Sequence, residues 1–228
     1  MQIYYITIAT KPHQVLENLK RIVAKNGETI TVLGERENRW IGWESNQNFG
    51  IKLREVREFL QNPFLQDEDI ILFSDAYDVA FCGTQQEVVS RFSTFHKPIV
   101  FGCEKYCNPM PSLASHYAIR NTEFPYLNSG LFVGRVNALR TCMEGYIYDD
   151  RHDDQLFWTR KFIAHPDLIE LDYENKLFLN TVDFDMSKFE WNRNTNRATY
   201  DGRNPLFVHV NGPDKQMIRM FLPQPTST

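Results

Sequence analysis

The chain has 228 residues, of which 42% are hydrophobic and 14% aromatic, and a formal net charge of −4 at pH 7. That length and composition suit one large α/β domain with a full core, while dispersed basic residues and an acidic balance exclude a generic binder of nucleic-acid backbone. No apolar run reaches transmembrane length, and the first ten residues lack the basic and long apolar regions of a signal peptide. The expectation is therefore a soluble protein, cytoplasmic unless a leader has been removed.

Residues 2–9 are rich in β-branched and aromatic types on both alternating faces, the pattern of a strand buried in a parallel sheet. Val15, Leu16, Leu19, Ile22 and Val23 recur at helical spacing and predict a helix over 13–26, closed by Asn26-Gly27. Residues 29–34 read as a second strand. The opening β-α-β order predicts a parallel sheet with a right-handed crossover. Residues 35–50 form a polar loop carrying Trp40 and Trp43, long enough to suggest a lid. A helix is expected over 51–60.

Residues 70–79 then run apolar and end in Ser74-Asp75-Ala76-Tyr77-Asp78. Helix follows over 85–95, begun by Thr84 as cap, and a strand over 98–102. Residues 103–124 are irregular, and Asn108-Pro109-Met110-Pro111 resists a helix. The stretch 126–134 is a strand interrupted by Asn128-Ser129-Gly130, which suggests close approach of backbone to a ligand. Helices are expected over 138–148 and from Arg151 through about Phe162, with a short strand at 168–171. Residues 180–204 are polar, with little core. A last strand, 206–212, ends in His209, Asn211 and Gly212. The domain is taken as 1–222 and residues 223–228 as a disordered tail. Of the four cysteines, Cys103 and Cys107 have a spacing that invites zinc, but no Cys/His pair follows at finger spacing, and free thiols fit better.

Three polar interruptions need one explanation: Asp75 with Asp78, Asn128-Ser129-Gly130 with Asp153-Asp154, and His209 with Asn211-Gly212 and Lys215. Each lies at a strand end or helix start, and in open α/β sheets ligands bind beyond the carboxyl ends of the strands. Two carboxylates and an imidazole suit a divalent cation, Mn²⁺ more than Mg²⁺ once a histidine takes part. A lysine beyond a glycine turn suits the phosphates of a diphosphate. Each feature also has a plain structural reading: aspartates as turn residues, a strand-end histidine, acidic residues at a helix N-terminus, a surface lysine.

The blocks Ile6-Thr7-Ile8-Ala9-Thr10, Phe73-Ser74-Asp75-Ala76-Tyr77-Asp78-Val79, Leu127-Asn128-Ser129-Gly130-Leu131-Phe132-Val133-Gly134, Asp153-Asp154-Gln155-Leu156-Phe157 and His209-Val210-Asn211-Gly212-Pro213-Asp214-Lys215 occur in this order. In that order and over most of the chain, the sequence resembles the glycosyltransferase domain of the procollagen lysyl hydroxylases, without their dioxygenase domain. The resemblance implies a single-domain, GT-A type fold with a Rossmann-like, mostly parallel sheet flanked by helices. It implies a hexosyltransferase using UDP-glucose or UDP-galactose and Mn²⁺, acting on hydroxylysine or galactosyl-hydroxylysine of a collagen-like polypeptide. Asp75, Asp78 and His209 would hold the metal. Tyr77 would pack on uracil, Thr7 and Thr10 would line the uridine, and Lys215 would meet the diphosphate. Asn128, Ser129, Asn211 and Gly212 would complete the donor site, and Asp153 and Asp154 would be the catalytic carboxylates. The sequence departs from the family in a shorter acidic run at 151–154, in a single glycine within 45–50, and in Cys107-Asn108-Pro109 where the family places a tryptophan. Transfer to another glycan acceptor, nucleotide-sugar binding without catalysis, and nucleotide-sugar hydrolysis are the competing readings.

Overall fold

The computed structural model describes residues 1–42 and 48–223. In chain order the elements are β1 (Ile3–Ile8), α1 (Gln14–Lys25), β2 (Thr31–Leu33), α2 (Gly50–Leu60), β3 (Ile70–Asp75), β4 (Val79–Phe81) and α3 (Gln85–Phe92). Then come β5 (Ile99–Glu104), β6 (Tyr126–Arg135), α4 (Val136–Met143), α5 (Asp154–Ala164), β7 (Ile169–Leu171), β8 (Phe178–Asn180), β9 (Phe189–Asn192), β10 (Arg197–Tyr200) and β11 (Phe207–His209). Trp43 and the segment 43–47 lie outside the described residues, as does 224–228, nearly all of the expected tail.

The central sheet has six strands in the order β2-β1-β3-β6-β5-β7. Alternation of side chains decides what each face carries. Ile71 and Phe73 of β3 join Leu53, Val56 and Leu60 of α2, Leu139 of α4 and Trp158 of α5 on one face. Ile70 and Leu72 meet Leu19, Ile22 and Val23 of α1 and Val88 and Phe92 of α3 on the other. Helices thus cover both faces, which is why the strands read as continuous apolar runs rather than alternating ones. The pairs β1–β2, β1–β3 and β5–β7 are parallel, but β6 runs antiparallel to both β3 and β5. Strand direction leaves no mark on a doubly buried apolar sequence, so this departure from the opening β-α-β pattern becomes visible only in the fold.

A second sheet of three strands, in the order β4-β11-β8, lies beside the first. Its formation depends on the turn after β7. The fully buried Asp172 accepts hydrogen bonds from the backbone N–H of Lys176, Leu177 and Phe178 at 2.7–2.9 Å. Burial pushes its carboxyl up to about 6, against the pull of those three donors. Asn175 sits at φ 51° and its side chain bonds Phe178 O, which completes the reversal that launches β8.

The segment 180–204, expected to carry little core, instead holds the β9–β10 hairpin, with Phe189, Ala198 and Tyr200 buried. Its buried residues alternate with polar ones, and the polar composition hides that period of two. Pro111–His116 forms a 3-10 helix where no helix was expected; Pro111 stands at its start, a position that needs no N–H. The helix expected over 138–148 ends at Met143, and Gly145 at φ 68° turns the chain away. No helix among the described residues is long and apolar enough to cross a membrane.

Candidate functional site

Topology brings residues distant in the chain together. Asp75 ends β3, and three residues later Asp78 precedes β4. β4 pairs with β11, placing His209 opposite Val79, and Val210 N–H donates to Asp78 O at 2.8 Å. Ligand atoms of Asp75, Asp78 and His209 lie within 4.8 Å of one another. Among the described residues no such group includes a cysteine, and all four cysteines are buried free thiols, so the zinc alternative for Cys103 and Cys107 finds no partner set.

The imidazole is aimed. His209 Nδ1 faces Asn180 Oδ1 at 2.8 Å and Asn128 Oδ1 at 3.2 Å. Asn180 is held by its own donation to Cys103 O at 2.8 Å, and Asn128 Oδ1 also accepts from Gly130 N–H. Two acceptor oxygens require Nδ1 to carry the proton, so Nε2 offers its lone pair toward the aspartates. It lies 3.4 Å from Asp78 Oδ1 and 3.7 Å from Asp75 Oδ2. Two carboxylate oxygens and one imidazole nitrogen, converging with the nitrogen fixed in its ligand tautomer, fit a divalent cation of the Mn²⁺ or Mg²⁺ kind.

Each aspartate gives its other oxygen to a lysine. Lys52 Nζ lies 2.7 Å from Asp75 Oδ1 and 3.5 Å from Asp154 Oδ2. Lys215 Nζ donates to Asp78 Oδ2 at 2.6 Å and to Val210 O at 2.7 Å. Burial acts against the charge on Lys52, but Asp154 and Asp75 outweigh it and hold the ammonium above its ordinary range. Burial also works against ionised Asp78, yet a positively charged form of His209 and the Lys215 ammonium would keep its carboxyl far below the usual carboxylate range. Asp154 is raised instead, by burial and by the charges of Asp75 and Asp153, with Lys52 and the 2.8 Å bond from Ser129 Oγ opposing.

Asn128, Ser129 and Gly130 reach the site through an irregularity in β6. Phe101 of β5 pairs with Phe132, but the next residue, Gly102, pairs with Asn128, so the residues between are extruded from the ladder. Gly130 faces the metal-binding group so closely that a Cβ there would stand 2.3 Å from His209 Cε1 and 2.9 Å from Asp75 Oδ2. Gly130→Ala is accordingly expected to weaken divalent-cation affinity by about tenfold or more, with a lower melting temperature. Isothermal titration calorimetry on the folded variant checks this, and unchanged affinity would show that the clash relaxes harmlessly.

A cavity of about 880 Å³ opens over these groups. Of the residues singled out from sequence, Tyr77, Asp75, Asp78, Asn128, Ser129, Asp153, Asp154, His209, Asn211, Gly212 and Lys215 line it. Thr7 and Thr10 do not. Thr7 is fully buried with its hydroxyl donated to Ser74 O at 2.7 Å, and Thr10 turns its N–H to the Tyr77 hydroxyl at 2.9 Å. Tyr77 lies between His13 and Trp40, with ring centroids 5.1 and 5.6 Å away. Asp153 is the N-cap of α5, accepting from Leu156 N–H at 2.8 Å, so its structural reading and its place in the cavity are both true.

Sequence reasoning missed Lys52, Asn180, Glu104 and Gln155. Glu104 ends β5 and is buried; its oxygens take Gln155 Nε2 at 2.5 Å and Asn211 Nδ2 at 2.8 Å, and burial raises its carboxyl. A carboxylate ending an apolar strand is the signal that found Asp75, and it applies equally to Glu104. Lys52 on a helix reads as a solvated charge, and nothing local distinguishes it.

A family model described as the PLOD GT domain matches residues 1–222. The chain belongs to the PLOD GT domain family. Among its relatives in that family, the human multifunctional procollagen lysine hydroxylase and glycosyltransferase LH3 is 30% identical over 220 residues, covering 92% of this chain and 30% of that protein. Human procollagen-lysine,2-oxoglutarate 5-dioxygenase 2 is 29% identical over 225 residues, covering 95% of this chain and 30% of that protein. The chain thus spans about a third of the length of these relatives. An uncharacterized protein, R699, of Acanthamoeba polyphaga mimivirus is 33% identical over 191 residues, covering 82% of this chain and 41% of that protein. Nothing in these relatives supports the expected cytoplasmic location. Among solved structures, a glycosyltransferase involved in glycosylation of the major capsid of PBCV-1 aligns with a TM-score of 0.56 at 11% identity, over 96% of this chain and 100% of that one. The shared fold is of the GT-A type, an α/β architecture with a mostly parallel central sheet, as the PLOD GT resemblance implied.

Proposed function

We propose that the chain transfers a hexose, glucose or galactose, from a UDP-sugar to a hydroxyl acceptor in a reaction that requires Mn²⁺. The observation that carries the reading is the convergence of Asp75, Asp78 and His209 beside Lys215 at the floor of one large cavity. Asp75, Asp78 and His209 would hold the cation, which when bound neutralises charge developing on the leaving diphosphate. Lys215 is placed to add a second positive charge to that diphosphate. Tyr77 offers its ring to uracil. In the reaction the bond between the anomeric carbon and the β-phosphate oxygen breaks, the acceptor oxygen bonds the anomeric carbon, and the acceptor's proton must leave. Asp153 and Asp154 border the sugar end of the cavity, where one carboxylate can take that proton and the other stabilise oxocarbenium character.

The relatives' names refer to procollagen lysine, which supports hydroxylysine or galactosyl-hydroxylysine of a collagen-like polypeptide as the acceptor. One observation favours a different glycan acceptor as the second reading. Asn108 and Pro109 line the cavity where the family places a tryptophan, and Asn108 O is tied to Gln155 Nε2 at 3.1 Å. The test is UDP release with Mn²⁺ and a panel of UDP-sugars, with and without hydroxylysine-containing or galactosylated collagen peptides. Acceptor-stimulated release from UDP-glucose or UDP-galactose is expected. Release that no acceptor increases would leave a hydrolase, and binding without release would leave a non-catalytic module.

A further inference from the structure

The two lysines at the metal-binding group are not equivalent. Lys52 stands on helix α2, its side chain only 14% exposed, and it bridges two carboxylates, Asp75 and Asp154. Its place is set by the core packing of α2. Lys215 has a side chain 44% exposed and bonds one carboxylate, Asp78, plus Val210 O. It stands on a short connection between Gly212, at φ 82°, and the 3-10 turn Gln216–Phe221. One ammonium is enclosed between two carboxylates, and the other is half-exposed with a single carboxylate partner.

Lys215 also compensates the charge of a carboxylate that a cation would use. Asp78 Oδ1 faces His209 Nε2 at 3.4 Å, while Oδ2 is neutralised by Lys215 at 2.6 Å. A divalent cation entering the group would meet a carboxylate whose charge is already compensated, with a like charge a few ångströms away. A separation of a few ångströms is well inside the Debye length, so salt does little to screen the repulsion between the two positive charges. A diphosphate arriving beside the metal carries the charge that would draw Lys215 off Asp78. Nothing comparable would release Lys52, whose two carboxylates remain.

Resting on the donor-binding reading above, we propose that Lys215 is handed from Asp78 to the donor diphosphate, so that the metal binds strongly only together with the nucleotide. Lys215 is in this account a gate on the metal as well as a phosphate contact. The chain holds little divalent cation by itself, and the cation and the UDP moiety enter and leave as one unit. Coupling is reciprocal: whatever factor UDP adds to metal affinity, the metal adds to UDP affinity.

The test is calorimetric titration of Mn²⁺ into the intact chain, alone and with saturating UDP, for wild type and Lys215→Met. Wild type should bind Mn²⁺ on the order of 5- to 50-fold more tightly with UDP than without it. Lys215→Met should bind Mn²⁺ alone about fivefold or more tightly than wild type does, and the factor that UDP adds should shrink by a similar amount. Lys215→Gln, which keeps a donor for Val210 O, should shift in the same direction, and a thermal melt confirms that both variants are folded. Unchanged or weaker binding of Mn²⁺ alone in both variants, with UDP affinity reduced, would overturn the gate while leaving the diphosphate contact standing. Wild type that binds neither Mn²⁺ nor UDP would overturn the gate and the donor-binding reading together.

Discussion

Asp78→Ala is expected to abolish metal-dependent UDP binding, lowering Mn²⁺-supported affinity on the order of 100-fold or more. Asp78 touches three parts of the site at once: Oδ1 faces His209 Nε2, Oδ2 holds Lys215, and its backbone carbonyl receives Val210 N–H. The last contact survives in alanine, so the β4–β11 pairing and the fold should persist. What disappears is one ligand oxygen and the carboxylate that Lys215 bonds. Calorimetry with Mn²⁺ and UDP, beside a thermal melt, separates loss of the site from loss of the fold. Affinity like that of wild type in a folded variant would remove Asp78 from the metal-binding group.

Asp154→Asn should do the opposite to the two steps: UDP affinity with Mn²⁺ stays close to wild type, and turnover falls on the order of 10²- to 10⁴-fold. The buried side chain sits at the first turn of α5, bonded to Ser129 Oγ and near Lys52. Asparagine can still accept from Ser129 and is tolerated at a helix start, so the change removes charge and leaves geometry largely in place. Lys52 keeps Asp75 as its partner at 2.7 Å. Single-turnover measurements alongside equilibrium UDP binding distinguish the steps. An active Asp154→Asn enzyme would refute a role for that charge in transfer, and a joint loss of binding and turnover would make Asp154 a structural support for the donor site instead.

The separation between those two variants reflects two kinds of placement. The Asp75–Asp78–His209 group is built on strand ends: β3 stops at Asp75, β11 stops at His209, and Asn180 of the adjoining β8 and Asn128 of β6 orient the imidazole. Asp153 and Asp154 stand instead at a helix start, where Asp153 caps α5 and Asp154 follows. His209 is paired on both sides and Asp75 on one, so side chains there are pre-organised by the ladders. Asn108 and Pro109, which line the cavity, stand in a connection between β5 and β6 that also holds the departure from the family pattern. Loops tolerate such change better than the strands they join.

Much of the fold was legible along the chain because apolar periodicity is local. The amphipathic spacing of α1, the continuous apolar runs of β1, β3 and β5, and the Thr84 cap of α3 depend on neighbours within a few residues, and the structure contains all of them. The capping box between Thr84 and Glu87 is one such local device. Where the reading fell short, the determining contact was distant. The β9–β10 hairpin is stabilised by Phe184, Phe124 and Phe221 from other parts of the chain, meeting Tyr200, Phe189 and Trp191. The resemblance implied that Thr7 and Thr10 line the uridine; Thr7 gives its hydroxyl to Ser74 O on the adjoining strand and Thr10 gives its N–H to the Tyr77 hydroxyl, contacts that only the fold reveals.

The amino-acid sequence by itself determined the chemistry available: carboxylates at the end of β3, an imidazole at the end of β11, a glycine among apolar residues in β6 and a lysine beyond Gly212. Residue types at strand ends are a property of the chain, and desolvation makes them conspicuous there. The tertiary structure alone decided that these groups meet. It set β6 antiparallel and extruded Ser129 and Gly130, brought Asn180 behind His209, and lodged Lys52 between Asp75 and Asp154. It also decided that Lys52 bridges two carboxylates while Lys215 meets one, because that depends on what surrounds each ammonium, not on the residues beside it in the chain.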